Sequence, residues 1–181
     1  EHSYWDDLFA LRGYKDGAWL AGQLGATDDS RWIGASRDEF AKDFAAASRA
    51  AMKAHDIRYV PGCSDLGDFD PTSTTIALTP VQAGGVLDQD AIKFTFERYW
   101  EFFKRRRSGQ ETWDAYTPYE LRNVGAFVRL GWRQRAEELL DWFMADRRPA
   151  GWRQWAEVVD KNPRHARFIG DMPHTWVGTD F

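Results

Sequence analysis

Apolar residues along this chain recur at the three-to-four-residue spacing of a helix, in segments that come in consecutive pairs. No other feature restricts the fold as much. Residues 4–24 carry Tyr4, Leu8, Leu11, Trp19, Leu20 and Leu24 at that spacing; Gly13 and Gly17 weaken the middle, and a bend is expected near Gly13. After a turn over Gly25 to Ser30, residues 37–54 set Phe40, Phe44, Ala47, Ala51 and Ala54 on one stripe with charges opposite. Pro71 is suited to the first turn of a helix over residues 71–79, a prediction that rests on capping because Thr72, Ser73, Thr74 and Thr75 are poor helix formers. Residues 88–106 line up Ile92, Phe96, Tyr99 and Phe103, and residues 118–130 and 133–146 read as an antiparallel pair turning near Gly131. The expected fold is therefore mainly α: one domain over residues 1–181, made of about three α-hairpins (4–24 with 37–54, 71–79 with 88–106, 118–130 with 133–146).

Extended structure is expected to be minor. Ile57 to Val60 reads as a short extended piece stopped by Pro61-Gly62. Gln154 to Val159 and Arg167 to Gly170 read as two short strands joined by a turn at Pro163, although Trp152 and Trp155 also fit helical spacing. Pro173 to Phe181 opens a further helix. The second helix of each hairpin is amphipathic and charged outside, whereas 71–79 and 118–130 are shorter and less charged, the contrast expected of an inner and an outer ring of helices.

Composition excludes several classes. A net charge of −4 argues against nucleic acid, whose binding needs a basic surface. The one basic run, Lys104 to Arg107, closes a predicted helix, where it complements the helix dipole as a solvated terminus. The single cysteine, Cys63, rules out an intrachain disulfide and reads as a small buried hydrophobe. No apolar run approaches the roughly 20 residues of a membrane span. The four histidines show no metal-ligand spacing, so no metal is expected, and Gly84-Gly85 lacks the context of a phosphate-binding glycine motif, so no organic cofactor is expected either. The chain opens at Glu1 without Met or a signal-like segment, and so reads as processed or cut from something longer.

Against this background, acidic and aromatic residues crowd four predicted helix starts: Tyr4-Trp5-Asp6-Asp7, Asp68-Phe69-Asp70-Pro71, Trp113-Asp114-Ala115-Tyr116 with Glu120, and Asp171 to Trp176. Glycoside hydrolysis needs one protonated and one ionised carboxyl group, held in environments that separate their pKa values. A helix N-terminus favours the ionised form, a neighbouring ring desolvates the other, and flat rings also stack on sugars. Each cluster also has a plain structural reading. Asp is among the best N-cap residues, which fits Asp70 before Pro71; Asp6 and Asp7 cannot both cap; and Trp5 and Trp113 fit a core as well as a platform.

The segments His2 to Asp7 leading into Leu8-Phe9-Ala10-Leu11-Arg12-Gly13, Val60-Pro61-Gly62 with Gly67-Asp68-Phe69-Asp70, Tyr116-Thr117-Pro118-Tyr119-Glu120, and Pro173 to Gly178 together resemble the six-hairpin glycosidases. The resemblance implies part of an (α/α)6 toroid in which inner-helix starts form a sugar-binding funnel. It implies a glycoside hydrolase acting on an oligosaccharide or glycoside, with Asp6, Asp7, Asp70, Asp114 and Glu120 as candidate catalytic carboxylates. Trp5, Tyr116, Arg122, His174 and Trp176 are then the candidate sugar contacts. The toroid has six hairpins and this chain about three, which implies either the remainder of a larger chain or a homodimer that completes the ring. The alternative from another class is a non-catalytic helical module that binds carbohydrate or protein.

Overall fold

In a computed structural model of the chain, residues 1–83, 85–148, 150–162, 164–165 and 173–179 are described. Among the described residues the fold is mainly helical, with two short strands. The helices are α1 (Tyr4–Gln23), α2 (Thr27–Ala54), α3 (Pro71–Leu78), α4 (Gln89–Arg107), α5 (Arg122–Arg129), α6 (Arg133–Ala145) and α7 (Thr175–Thr179). The strands are β1 (Ala115–Tyr116) and β2 (Val159–Asp160). Two compact units divide the chain, Glu1–Thr95 and Phe96–Phe181, and α4 begins in the first and continues in the second. None of the helices is long and apolar enough to cross a membrane, among the described residues.

In the first unit, Ser3 caps α1 by accepting a hydrogen bond from Trp5 N–H, and Asp6 and Asp7 fill the first turn, where carboxylates oppose the helix dipole. No break occurs at Gly13. Leucines at 8 and 11 and Tyr4 face the core, with Tyr4 edge-on to Phe44 at 5.1 Å. α2 starts at Thr27, ten residues before the expected position, so the turn shrinks to the few residues around Gly25, whose φ is 75°. The small residues explain the extension: Gly17 meets Ile33 and Gly22 meets Ser30, so the two helices close against each other over the added turns. The Ser30 hydroxyl donates to the Ala18 carbonyl at 2.8 Å.

Residues 57–60 form no strand. Val60 N–H donates to Thr95 Oγ1 at 3.0 Å, and the only ladder contact nearby is a single bridge between Ser3 and Cys63. α3 begins as expected, with Asp70 as N-cap accepting from Ser73 N–H at 3.0 Å and Pro71 in the first turn. It packs beside α1 and runs the same way. The start of α1 is tied to the loop before α3, while Arg12 donates to the Pro80 carbonyl (2.6 Å) and Lys15 to Gln82 (3.3 Å) beyond its end.

In the second unit, the segment expected as one helix over 118–130 starts as a 3-10 turn, Pro118–Leu121, capped by Thr117, and becomes α5 at Arg122. α5 and α6 form the expected antiparallel pair, turning at Gly131 with φ 76°. Phe96, Tyr99, Phe103, Phe127, Leu139 and Phe143 are the fully buried centre. β2 pairs with β1 in antiparallel register, Ala115 opposite Asp160 and Tyr116 opposite Val159. Of the strand expected over Gln154 to Val159 only Val159 lies in β2, and its expected partner, Arg167 to Gly170, lies outside the described residues. Trp155 is buried, its indole N–H bonded to the Phe143 carbonyl.

The basic run at the end of α4 departs from its expected solvated state at one position. Arg106 is buried, its side chain 1% exposed, and forms a two-pronged pair with Glu120 at 2.9 and 2.7 Å. Burial alone would lower its pKa, but the Glu120 carboxylate more than offsets this, and the net direction is upward. The guanidinium also stands over Tyr116 (4.8 Å), Trp142 (4.9 Å) and Phe102 (5.3 Å).

Candidate functional site

The first two acid-aromatic clusters meet at one end of the first unit. Tyr4 N–H donates to the Gly62 carbonyl at 2.9 Å, Ser64 N–H to the His2 carbonyl at 3.0 Å, and His2 N–H to Asp65 at 3.0 Å. These bonds stitch the first turn of α1 to the loop that leads into α3. Asp68 holds the loop itself, its Oδ1 accepting from Cys63 N–H at 2.8 Å. Gly62 is required at the crossing: a Cβ there would lie 2.7 Å from Asp68 Oδ2 and 2.8 Å from Asp70 Cβ. The start of α1, with Trp5, Asp6 and Asp7 in its first turn, is thereby tied to the loop that carries Asp68 and Asp70 into α3.

Within that junction the carboxylates differ in how they are engaged. Asp70 accepts from both the backbone N–H and the hydroxyl of Ser73, so it is a true N-cap. Asp68 is fixed by Cys63. Asp6 and Asp7 have no hydrogen-bond or ion-pair partner among the described residues. Asp6 is exposed and Asp7 partly buried. Burial, followed by the charge of Asp6, raises the pKa of Asp7 above the ordinary carboxylate value, with His2 acting in the opposite direction. Beneath it, burial and the Asp7 charge push the Tyr4 hydroxyl up to about 12. Asp65, at the outer edge, is held down at about 2, chiefly by the His2 backbone N–H. Trp5 is partly buried and tilts against Phe9 at 5.3 Å.

The third cluster separates into two kinds of residue. Glu120 is buried, and besides Arg106 it accepts from the Tyr99 hydroxyl at 2.8 Å. Tyr116 is also buried, donating to Asp146 Oδ2 at 2.7 Å; burial and then Asp146 raise its pKa. Both residues belong to the packed interior, and neither presents a free group to a ligand. Asp114 is exposed, and its backbone carbonyl accepts from Lys161. Trp113 lies edge-on to Tyr116, with Arg148 and Lys161 each 5.3 Å from its ring.

The described part of the fourth cluster meets the third in the second unit. His174 Nε2 and the Tyr119 hydroxyl share a hydrogen bond of 2.7 Å, and Arg122 stands 4.3 Å over the Tyr119 ring. Trp176 is exposed on α7. Asp171 and Met172 lie outside the described residues. Sequence reasoning named His174 and Arg122 but missed Tyr119 as their link. It also missed Tyr99 and Arg106 as the partners of Glu120, because those contacts join residues 14 to 55 positions apart.

Neither of two surface hollows involves a predicted site residue. One, of about 250 Å³, is lined by Leu11, Lys15, Arg37 and Gln82, a turn or more below Asp7. The other, of about 350 Å³, lies on α5 and α6 against Val124, Val128 and Leu140. Among the described residues no group of three or more His, Cys, Asp and Glu side chains could hold a metal ion.

Comparison with known proteins returns nothing for this chain: no family model, no curated protein and no solved structure matches.

Proposed function

We propose that the chain is the catalytic rim, or part of it, of a glycoside hydrolase of the six-hairpin kind. The observation that carries this reading is the bonding of the start of α1, with Trp5, Asp6 and Asp7 in its first turn, to the loop that carries Asp68 and Asp70 into α3. Hydrolysis of a glycosidic bond needs a carboxyl group that is still protonated near neutral pH and a second that is ionised. Asp7 is the candidate for the acid role: burial and the neighbouring Asp6 charge raise its pKa, and it has no hydrogen-bond or ion-pair partner among the described residues. Asp6, exposed and unpaired, and Asp70, held at a helix N-terminus, are the two candidates for the ionised role. Trp5 supplies the stacking face for a sugar ring. Glu120, engaged with Arg106 and Tyr99, is withdrawn from the catalytic set and has a structural role.

The test is a panel of chromogenic glycosides and oligosaccharides with product analysis, run on the parent protein and on Asp7→Asn, Asp6→Asn and Asp70→Asn. Turnover by the parent that survives in all three variants would rule out this rim. A second reading, non-catalytic carbohydrate binding, is favoured by the Tyr119, His174 and Arg122 group with exposed Trp176 nearby in sequence. It predicts quenching of tryptophan fluorescence by an oligosaccharide without any product.

A further inference from the structure

The hollow of about 250 Å³ in the first unit has an apolar floor and a cationic edge, and no residue of the acid-aromatic clusters lines it. Three elements form it: α1 through Leu11 and Lys15, α2 through Arg37 and Ala41, and the loop after α3 through residues 81–86. Leu11, Val81 and Ala83 make the floor, each with no more than 6% of its surface exposed. The loop wall is held from below. Val81 N–H donates to the Ile76 carbonyl at 3.2 Å, Ala83 N–H to the Ala77 carbonyl at 2.7 Å, and Val86 N–H to the Ala83 carbonyl at 2.9 Å. The hollow is therefore preformed, and a ligand entering it does not have to order the chain.

Two features of the edge point to a ligand. Gln82 has φ 57°, in the left-handed region that residues with side chains rarely adopt, and strain of this kind is concentrated at ligand sites. Its result is definite: Val81 and Ala83 on either side are buried, while Gln82 is exposed at the mouth and its side-chain oxygen accepts from Lys15 Nζ at 3.3 Å. The second feature is charge. Lys15 makes no ion pair among the described residues. Arg37 reaches only one oxygen of its neighbour Asp38, through Nε at 2.9 Å and Nη2 at 2.6 Å. Asp38 is 70% exposed, so water screens that pair. With two cations and one carboxylate, the lining is positive.

We propose that this hollow binds a small monocarboxylate with an apolar body. The carboxylate meets Lys15 and Arg37 at the edge, where a guanidinium and an ammonium suit an anionic oxygen pair. The hydrocarbon part lies on Leu11, Val81 and Ala83, where it loses contact with water. The volume is a little below the roughly 300–1,000 Å³ of ordinary ligand pockets, which fits a short chain or a single ring. A sugar suits it badly, because a packed apolar floor gives its hydroxyls no partners. The site is separate from Asp6, Asp7 and Asp70, and it stands or falls apart from the chemistry proposed for them.

Titration with sodium hexanoate, followed by calorimetry and by amide NMR, is the test. Saturable binding is expected with a dissociation constant of about 1 mM or tighter, with amide shifts at Ala41, Val81, Ala83 and Val86. Acetate carries the charge without the body, and hexanol the body without the charge. Each is expected to bind at least about tenfold more weakly. Lys15→Ala with Arg37→Gln should weaken hexanoate by about tenfold with unchanged far-ultraviolet circular dichroism. Lys42→Ala, exposed on α2 and outside the hollow, should leave it unchanged. Binding that does not saturate by about 10 mM overturns the proposal. So does hexanol or acetate binding as tightly as hexanoate, or a double substitution that costs no more than Lys42→Ala.

Discussion

Replacing Glu120 by Gln removes one negative charge and almost no volume, and the structure makes the consequence calculable. The Arg106 side chain is 1% exposed and that of Glu120 12%, so the charge left behind cannot be rehydrated without opening the interior. Breaking a buried pair on one side costs about 3–5 kcal/mol, because the remaining ion keeps its desolvation penalty and loses its counter-charge. The rings of Phe102, Tyr116 and Trp142 each stabilise the guanidinium by about 0.5–2 kcal/mol, but they do so with or without Glu120 and leave the difference unchanged. Gln keeps an oxygen to accept from Tyr99, so the charge is isolated as the variable. Urea unfolding followed by tryptophan fluorescence should give a loss of at least about 3 kcal/mol, a thermal midpoint lower by roughly 10 °C. The double variant Arg106→Met, Glu120→Leu should recover most of that loss, since a well-packed apolar pair is no worse than a buried ion pair. A loss below about 1 kcal/mol in Glu120→Gln, or simple additivity in the double variant, would refute the structural role assigned to this pair.

Asp70→Ala should lose about 1 kcal/mol of stability in chemical unfolding, while Asp70→Asn should lose little, because both Asp and Asn cap well. Asp7→Asn should stabilise the protein at neutral pH. The folded pKa of Asp7 lies above its unfolded value, so the folded chain holds the proton more tightly and stability falls as pH rises through that interval. The gain should therefore vanish as unfolding is measured below the unfolded carboxylate pKa; a gain that grows on acidification would contradict the sign. Gly67→Ala should destabilise by about 1–2 kcal/mol, since Gly67 has φ 62° and a Cβ there would fall on the His55 ring; calorimetry showing no change in midpoint would contradict it.

What the sequence determined is local. The apolar period located α1, α4 and α6 to within a residue or two, and Asp70 before Pro71 located α3 through its cap. Helix periodicity, capping and turns act over a few residues, so they can be read where they are written. α2 outran its apolar stripe because its early turns are held by Gly17 and Gly22 of another helix, a reason its own residues do not carry. The same limit governs the site. Sequence could mark Asp6, Asp7, Asp70, Asp114 and Glu120 as equivalent carboxylates, each beside an aromatic ring. Only the tertiary structure separated them, bringing Asp70 to the start of α1 through Gly62 and Asp68, and enclosing Glu120 with Arg106 and Tyr99. A carboxylate's part is set by its solvation and its partners, and for Glu120 those partners lie 14 and 21 residues away along the chain.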